Sequence, residues 1–341
     1  MQKVTKVLVS DPSLRDGNHA VSHQLSAEQI AKYCRAAEKA RIPIVEVGHG
    51  NGLGASSLQV GLAKIDDEVM LRTARENLVN SKLGIHIIPG FGTIKRDLER
   101  ARDLGVDVVR VASHCSEADL TERHIRFCRT NGITVFGVLM MSHMISAQLL
   151  AEEAKKLENY GAEAVLLMDS AGYYLPSDVT ERIGALMDNL SIPVGFHAHN
   201  NLGMAIANSV TAMECGATIL DGCSRGFGAG AGNAQLEVLV AVLHRMGIET
   251  GIDLYGMLDA ADMAELELLK EIPRISSLSV VSGLAGVFSG FAKHVQRLAK
   301  EYDIDPRDVF FELGRRRIIA GQEDLIIEVA AEIAASKKEQ S

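Results

Sequence analysis

The sequence predicts an α/β fold, a closed (βα)8 TIM barrel followed by a helical appendage. Three observations carry that expectation. Eight short apolar runs of the buried-strand type recur between Val7 and Asp221, with helical patterns between them. Most of these runs end in a polar residue suited to chemistry, and a barrel assembles its active site at that face. Beyond about residue 245 the strand rhythm stops and only helical patterns remain. An open, doubly wound sheet is the alternative, and it usually has fewer strands.

In chain order the expected strands are residues 7–10, 44–47, 84–88, 108–112, 134–138, 164–168, 194–197 and 218–221. Their ends carry Asp11, then Glu46 and His49, His86, His114, Asp169 with Ser170, His197 and His199, and Asp221. The first helix is expected over 26–39, with Ile30, Tyr33, Cys34 and Ala37 on one stripe and Ser26 as its N-cap. Residues 147–157, 176–187 and 234–243 behave similarly. In the appendage, 257–269, 284–301, 306–317 and 323–336 read as helices. The domain reading is a catalytic barrel over 1–250 and a helical region over 251–341.

Composition narrows the function. With 341 residues, 47% hydrophobic and 23% charged, the chain is long enough for a barrel core. A net charge of −9 argues against a general nucleic-acid or anionic-membrane binder. No signal-peptide apolar region follows Met1-Gln2-Lys3, and no run reaches the ~18 apolar residues of a membrane span. The five cysteines (Cys34, Cys115, Cys128, Cys215 and Cys223) are odd in number and scattered, which predicts reduced thiols in the cytoplasm. Cys223 lies near a strand end, yet no local signature marks it as a nucleophile.

Two segments hold the chemistry. Asp11-Pro-Ser-Leu-Arg15-Asp16-Gly17-Asn18-His19 places an arginine, a carboxylate and an imidazole together after the first strand. Phe196-His197-Ala198-His199-Asn200-Asn201 carries two histidines at i and i+2, on one side of a strand. One Asp and two His form a three-ligand site suited to Mn²⁺, Mg²⁺, Fe²⁺, Co²⁺ or Zn²⁺. A lone histidine is more often a satisfied core residue, but two neighbouring buried imidazoles need several partners. The loop from Gly226 to Asn233 resembles a dinucleotide fingerprint only weakly. A backbone approach to a ligand or metal, with Asn233 reaching the site, is the better reading, and a simple turn is the plainest one. No strand holds an internal lysine, since Lys6 and Lys82 lie at strand entrances. Schiff-base and biotin-dependent carboxyl-transfer chemistry are therefore disfavoured. The cluster Arg315-Arg316-Arg317 reads as a solvated or salt-bridged helix face.

With these residues in place, the chain resembles the metal-dependent pyruvate aldolases called 4-hydroxy-2-oxovalerate aldolases, in the barrel superfamily of HMG-CoA lyase. The matching motifs are Leu14-Arg-Asp-Gly-Asn-His19, Val45-Glu-Val-Gly-His-Gly-Asn-Gly-Leu-Gly54, Phe196-His-Ala-His-Asn-Asn-Leu202 and Gly226-Phe-Gly-Ala-Gly-Ala-Gly-Asn233. Glu312-Leu-Gly-Arg-Arg-Arg317 and Gly321-Gln-Glu-Asp324 match as well. The resemblance implies metal ligation by Asp16, His197 and His199, with Mn²⁺ as the ion and Mg²⁺ or Co²⁺ as substitutes. It implies Arg15 as the enolate-stabilising group, His19 as the catalytic base and Ser170 as a contact to the keto acid.

The implied reaction cleaves 4-hydroxy-2-oxopentanoate, or a close homologue, to pyruvate and a short aldehyde. The resemblance also implies an acylating acetaldehyde dehydrogenase as partner, docked on the appendage, and is compatible with an oligomer. One departure concerns Ala285-Gly-Val-Phe288-Ser289, where the family carries tyrosine at the fourth place. Phe288 keeps the ring at the substrate but lacks the hydroxyl. Asn51 stands where aspartate is common. The competing readings are an acyl-CoA lyase or condensing enzyme on the same barrel, and a scaffold that has lost catalysis.

Overall fold

The computed structural model describes residues 4–319 and 321–340. Eight strands close a barrel in sequence order, every neighbour parallel: β1 (Leu8–Leu14), β2 (Ile44–Val47), β3 (Lys82–Ile87), β4 (Val108–His114), β5 (Thr134–Met140), β6 (Ala164–Asp169), β7 (Val194–Ala198) and β8 (Ile219–Asp221). Pairing of Leu8 with Ile219 and of Ser10 with Asp221 seals it. Each expected run is a strand, so the barrel reading holds. The main shift is at β1, which extends to Leu14. Its register with β2 is irregular between Asp11 and Leu14, around Pro12, which has no N–H to give the ladder.

Strand alternation sorts the core into two layers. On β4, Val109 and Val111 face the surrounding helices, whereas Val108 and Ala112 join Phe136, Val138, Leu166 and Ile219 in the lumen. Arg110 shares the lumen face of Val108 and Ala112 and is the largest fully buried side chain of the protein.

The barrel helices are α1 (Ala27–Lys39), α2 (Asp67–Asn77), α3 (Glu99–Asp103), α4 (Glu122–Thr130), α5 (Ala147–Tyr160), α6 (Pro176–Asn189), α7 (Ala205–Glu214) and α8 (Leu236–Arg245). Ser26 caps α1 in a reciprocal capping box with Gln29, and the expected stripe Ile30, Tyr33, Cys34 and Ala37 is its buried face. Truncating a fully buried residue such as Ile30 to alanine costs ~2–5 kcal/mol. None of the helices described is long and apolar enough to cross a membrane.

Helix α9 (Leu254–Glu267), capped by Asp253, buries Met257, Ala260, Ala261 and Ala264 in the same core as the barrel. A separate apolar core, from Val287 to Ala330, holds together α10 (Ser277–Leu284), α11 (Ala292–Tyr302), α12 (Pro306–Arg315) and α13 (Asp324–Gln340).

The single helix expected over 284–301 is corrected to two. Helix α10 ends at Leu284, Gly286 turns the chain at φ +65°, and a short 3-10 turn over Ser289–Phe291 leads into α11. The turn is pulled toward the barrel: the Ser289 N–H donates to the Ser170 carbonyl at 3.3 Å, and the Ser289 hydroxyl donates to Asn201 Oδ1 at 3.2 Å. Helical periodicity here yields to tertiary contacts.

Arg315 and Arg316 pair with Glu312, and Arg316 also meets Glu328 and Glu332, so that cluster is a salt-bridged face. Arg317 instead reaches back to the Met144 carbonyl on the barrel.

Candidate metal centre and active site

Asp16 opens a 3-10 turn (Asp16–His19) directly after β1, and His197 and His199 project from the end of β7. One ligand atom from each of Asp16, His197 and His199 lies within 4.8 Å of the others, and all three residues are buried. His197 Nε2 and His199 Nδ1 are buried without any hydrogen-bond partner. Two orphaned imidazole nitrogens beside a carboxylate cost stability unless something occupies the space between them. A divalent cation of the nitrogen- and oxygen-loving class fits that donor set.

Two of the three candidate ligands, His197 and Asp16, are held from behind. His197 Nδ1 lies 2.9 Å from Asp221 Oδ2, which fixes the tautomer with Nε2 free. Asp16 Oδ1 accepts from Arg15 Nη1 at 2.9 Å, and its Oδ2 accepts from Asn233 Nδ2 at 2.6 Å. Burial would raise the Asp16 carboxyl pKa, but Arg15 above all, with the surrounding imidazoles, holds it well below the usual carboxylate range. Burial lowers His199 to about 3, against the pull of Asp16. Carboxylate and imidazole are therefore already in the protonation states that ligation requires.

The glycine loop contributes as expected of a backbone-approach segment. Gly228 lies so close that a Cβ would come within 2.8 Å of Asp16 Oδ2, and the Asn200 N–H donates to the Gly232 carbonyl at 2.8 Å. Asn233 does reach the site, and its Oδ1 is buried without a partner. Cys223 lies beneath it, 3.1 Å from the Asn233 amide, and burial pushes its thiol pKa well up, which rules against a thiolate nucleophile.

Arg15 is buried and forked. Its Nε pairs with Glu46, its Nη1 donates to Asp16 and to the Gly50 carbonyl at 3.2 Å, and Nη2 has no partner. One guanidinium donor is thus left for a ligand oxygen. His19 stands beside it. Burial takes the imidazole down to about 4, opposed by Asp16 and assisted by Arg15 and Lys293, so it is neutral near pH 7. A neutral imidazole carries one ring nitrogen that can accept a proton. A Cβ at Gly50 would sit 2.5 Å from His19 Nε2, so a side chain there would displace the His19 ring.

Ser170 and Phe288 lie to one side of this cluster. They line a cavity of about 260 Å³ together with Ile88, His114, Met140, Met141 and Ile319. The Phe288 ring meets His19 edge to face, with centroids 6.5 Å apart. Phe288 is what this cavity shares with the surroundings of His19, and the cavity walls are mostly apolar.

Reasoning from sequence missed two groups. The first is Arg110, which makes a bidentate pair with Asp221 at 2.5 and 2.8 Å and an ion pair with Glu46 Oε2 at 3.1 Å. A charged residue inside the run Val108-Val109-Arg110-Val111 was the available signal. The second is His23, which accepts from the Gly50 N–H at 3.3 Å and stacks on His49 at 3.6 Å between centroids. It follows His19 by four residues in a turn with no regular pattern, and nothing in the sequence marked it.

Comparison with known proteins identifies the family of the chain. Residues 6–264 match the HMGL-like family, and residues 273–335 match the DmpG-like communication domain. The chain is 68% identical over 327 residues to the 4-hydroxy-2-oxovalerate aldolase of Spirochaeta aurantia, covering 96% of each chain. It is 63% identical over 329 residues to that of Pectobacterium atrosepticum, again covering 96% of each. Among solved structures, the N-terminal domain of a putative aldolase from Bacteroides vulgatus superposes with a TM-score of 0.71 at 22% identity, over 84% of this chain and 95% of that one. The carboxyl transferase domain of Rhizobium etli pyruvate carboxylase, with pyruvate and biocytin, gives 0.82 at 15% identity, over 97% of this chain and 61% of that one. Both structures share the fold.

Proposed function

The chain belongs to the HMGL-like family, and within it to the 4-hydroxy-2-oxovalerate aldolases, and we propose that its barrel mouth cleaves 4-hydroxy-2-oxopentanoate or a close homologue. The protein is a carbon–carbon lyase. One observation supports the reading most: a buried carboxylate and two imidazoles with orphaned nitrogens converge beside an arginine whose Nη2 is unpaired.

Asp16, His197 and His199 would hold the cation, with the unpartnered Asn233 Oδ1 close by. A divalent ion, proposed as Mn²⁺ with Mg²⁺ or Co²⁺ as substitutes, supplies Lewis-acid polarisation of the 2-keto group. His19, neutral near pH 7, accepts the proton of the C4 hydroxyl through a ring nitrogen. The C3–C4 bond then breaks, the aldehyde departs, and the electron pair moves into the enolate of pyruvate. Arg15 offers Nη2 to the developing oxyanion and stays charged throughout. Proton delivery to C3 completes pyruvate. Ser170 and Phe288 border the leaving aldehyde, and the apolar cavity beside them suits an alkyl chain. Phe288 lacks the hydroxyl that would bond a substrate oxygen, so discrimination at C4 rests on shape.

The appendage is proposed as the docking surface for an acylating aldehyde dehydrogenase, supported by the communication-domain match. Five free thiols favour a reducing compartment, the cytoplasm.

The test is to supply metal-reconstituted protein with 4-hydroxy-2-oxo acids of graded length, coupling pyruvate to lactate dehydrogenase. Asp16→Asn and His197→Ala should abolish metal binding and cleavage together. Undiminished turnover by metal-stripped protein would overturn the reading.

A further inference from the structure

The turn that presents His19 is hydrogen-bonded to the helical appendage through Lys293. Lys293, the second residue of α11, extends to the loop after β1. Its ammonium donates to the His19 carbonyl at 3.0 Å, to the Ala20 carbonyl at 3.3 Å and to the Ser22 hydroxyl at 2.7 Å. An ammonium has three donors, and all three are used. The loop it grips is otherwise expensive to hold, since Ser22 and His23 both adopt positive φ, at 57° and 61°.

The adjacent residues of the same segment reach the other side of the barrel mouth: Phe288 abuts the His19 ring, and Ser289 bonds Ser170 and Asn201. Thus 288–293, the stretch that breaks the expected long helix, spans three barrel loops. Within this segment Lys293 bonds the backbone of His19, whose carbonyl also accepts from the Ser22 N–H at 3.2 Å.

We propose that Lys293 is a positioning residue for the cleavage reaction, fixing the main chain of His19 so that its imidazole faces the substrate hydroxyl. The proposal rests on the function assigned above. Lys293 touches no reacting atom. It acts through the loop, and it makes the placement of the base depend on how α11 is seated. Asp16 is anchored independently by Arg15 and Asn233, so the ligand set should not follow the loop.

The test compares Lys293→Met, Lys293→Arg and Ser22→Ala with the unaltered protein. Lys293→Met should lower kcat by between about ten- and a hundredfold, the range expected when a reacting group is misplaced by an ångström or so. KM, cation affinity by calorimetry and the melting temperature should change little, and Lys293→Arg should restore part of the rate. Ser22→Ala should lower kcat in the same sense, with an effect that does not add to that of Lys293→Met. Unchanged kcat in Lys293→Met, or a loss matched by falling melting temperature and cation affinity, would overturn the proposal. An unaltered protein that fails to cleave any 4-hydroxy-2-oxo acid would overturn both this proposal and the function it rests on.

Discussion

His197 Nδ1 lies 2.9 Å from Asp221 Oδ2, and Asp221 is gripped from its other side by Arg110. From there the chain of charge continues through Glu46 to Arg15 and on to Asp16. Two of the three ligand residues are therefore the ends of one buried network, and its middle lies in the barrel lumen.

Asp221→Asn tests the last link of that network. The amide keeps the shape but offers the imidazole a neutral partner, and it can bond with Nδ2 toward His197, which favours the wrong tautomer. Cation affinity should fall about 10- to 100-fold, the usual cost of losing a carboxylate behind a metal histidine. Titration calorimetry reads this directly, and unaltered affinity would show that Asp221 does not orient the ligand.

Arg110→Met tests the centre. Methionine fills similar space but strands Glu46 and Asp221 as buried carboxylates without their partner. Breaking such a group by removing one member costs ~3–5 kcal/mol. The urea midpoint should drop accordingly, and activity should fall because Arg15 loses the brace behind Glu46. A variant as stable as the parent would mean the lumen network is hydrated and weak.

Much of this was legible before any coordinates. The eight runs carried the barrel because parallel strands buried on both faces leave continuous apolar segments, and the paired histidines and Arg15-Asp16 are local patterns. What stayed hidden depends on partners distant in sequence. Arg110 meets Asp221 across the barrel, a separation of 111 residues. Lys293 reaches a loop some 270 residues earlier in the chain, about the order of separation of the whole barrel, and no local period reports it. The break at Gly286 was missed for the same reason, since the bonds of Ser289 to Ser170 and Asn201 are tertiary.

With the aldehyde portion placed in the apolar cavity behind Phe288, the size of that cavity should set chain length. Ile88 forms part of its wall, and shortening it to alanine should open room for further methylenes in the aldehyde portion. At ~0.8 kcal/mol per buried CH₂, each added carbon accommodated is worth about a fourfold gain in relative kcat/KM. Ile88→Ala should therefore move the preference toward six- and seven-carbon substrates. An unchanged ratio between five- and six-carbon substrates would place the aldehyde elsewhere.

Metal-free protein should lose stability steeply as pH falls from about 6.5 to 4. Burial holds nine imidazoles below their ordinary value of 6.5: His19, His49 and His143 at about 4, His199 at about 3, His23 at about 2, His86 well below the normal range, and His114, His124 and His294 lowered as well. Such groups are neutral in the fold and protonated in the unfolded chain, so their contribution is present above pH 6.5 and is lost as pH drops through the folded values. Three carboxyls oppose them: burial raises Asp67, and takes Asp11 to about 6 and Asp169 to about 7, so the last two are protonated in the fold near pH 5 and charged in the unfolded chain. The lowered imidazoles outnumber the raised carboxyls, so unfolding takes up protons near pH 5, each tilting stability by ~1.4 kcal/mol per pH unit. Urea midpoints measured without metal at pH 7, 6 and 5 should therefore fall with increasing slope. Saturating cation should deepen the dependence, because binding requires neutral His197 and His199 and protons compete for them. A midpoint that stays flat to pH 5 would mean that water already reaches these imidazoles in the folded protein.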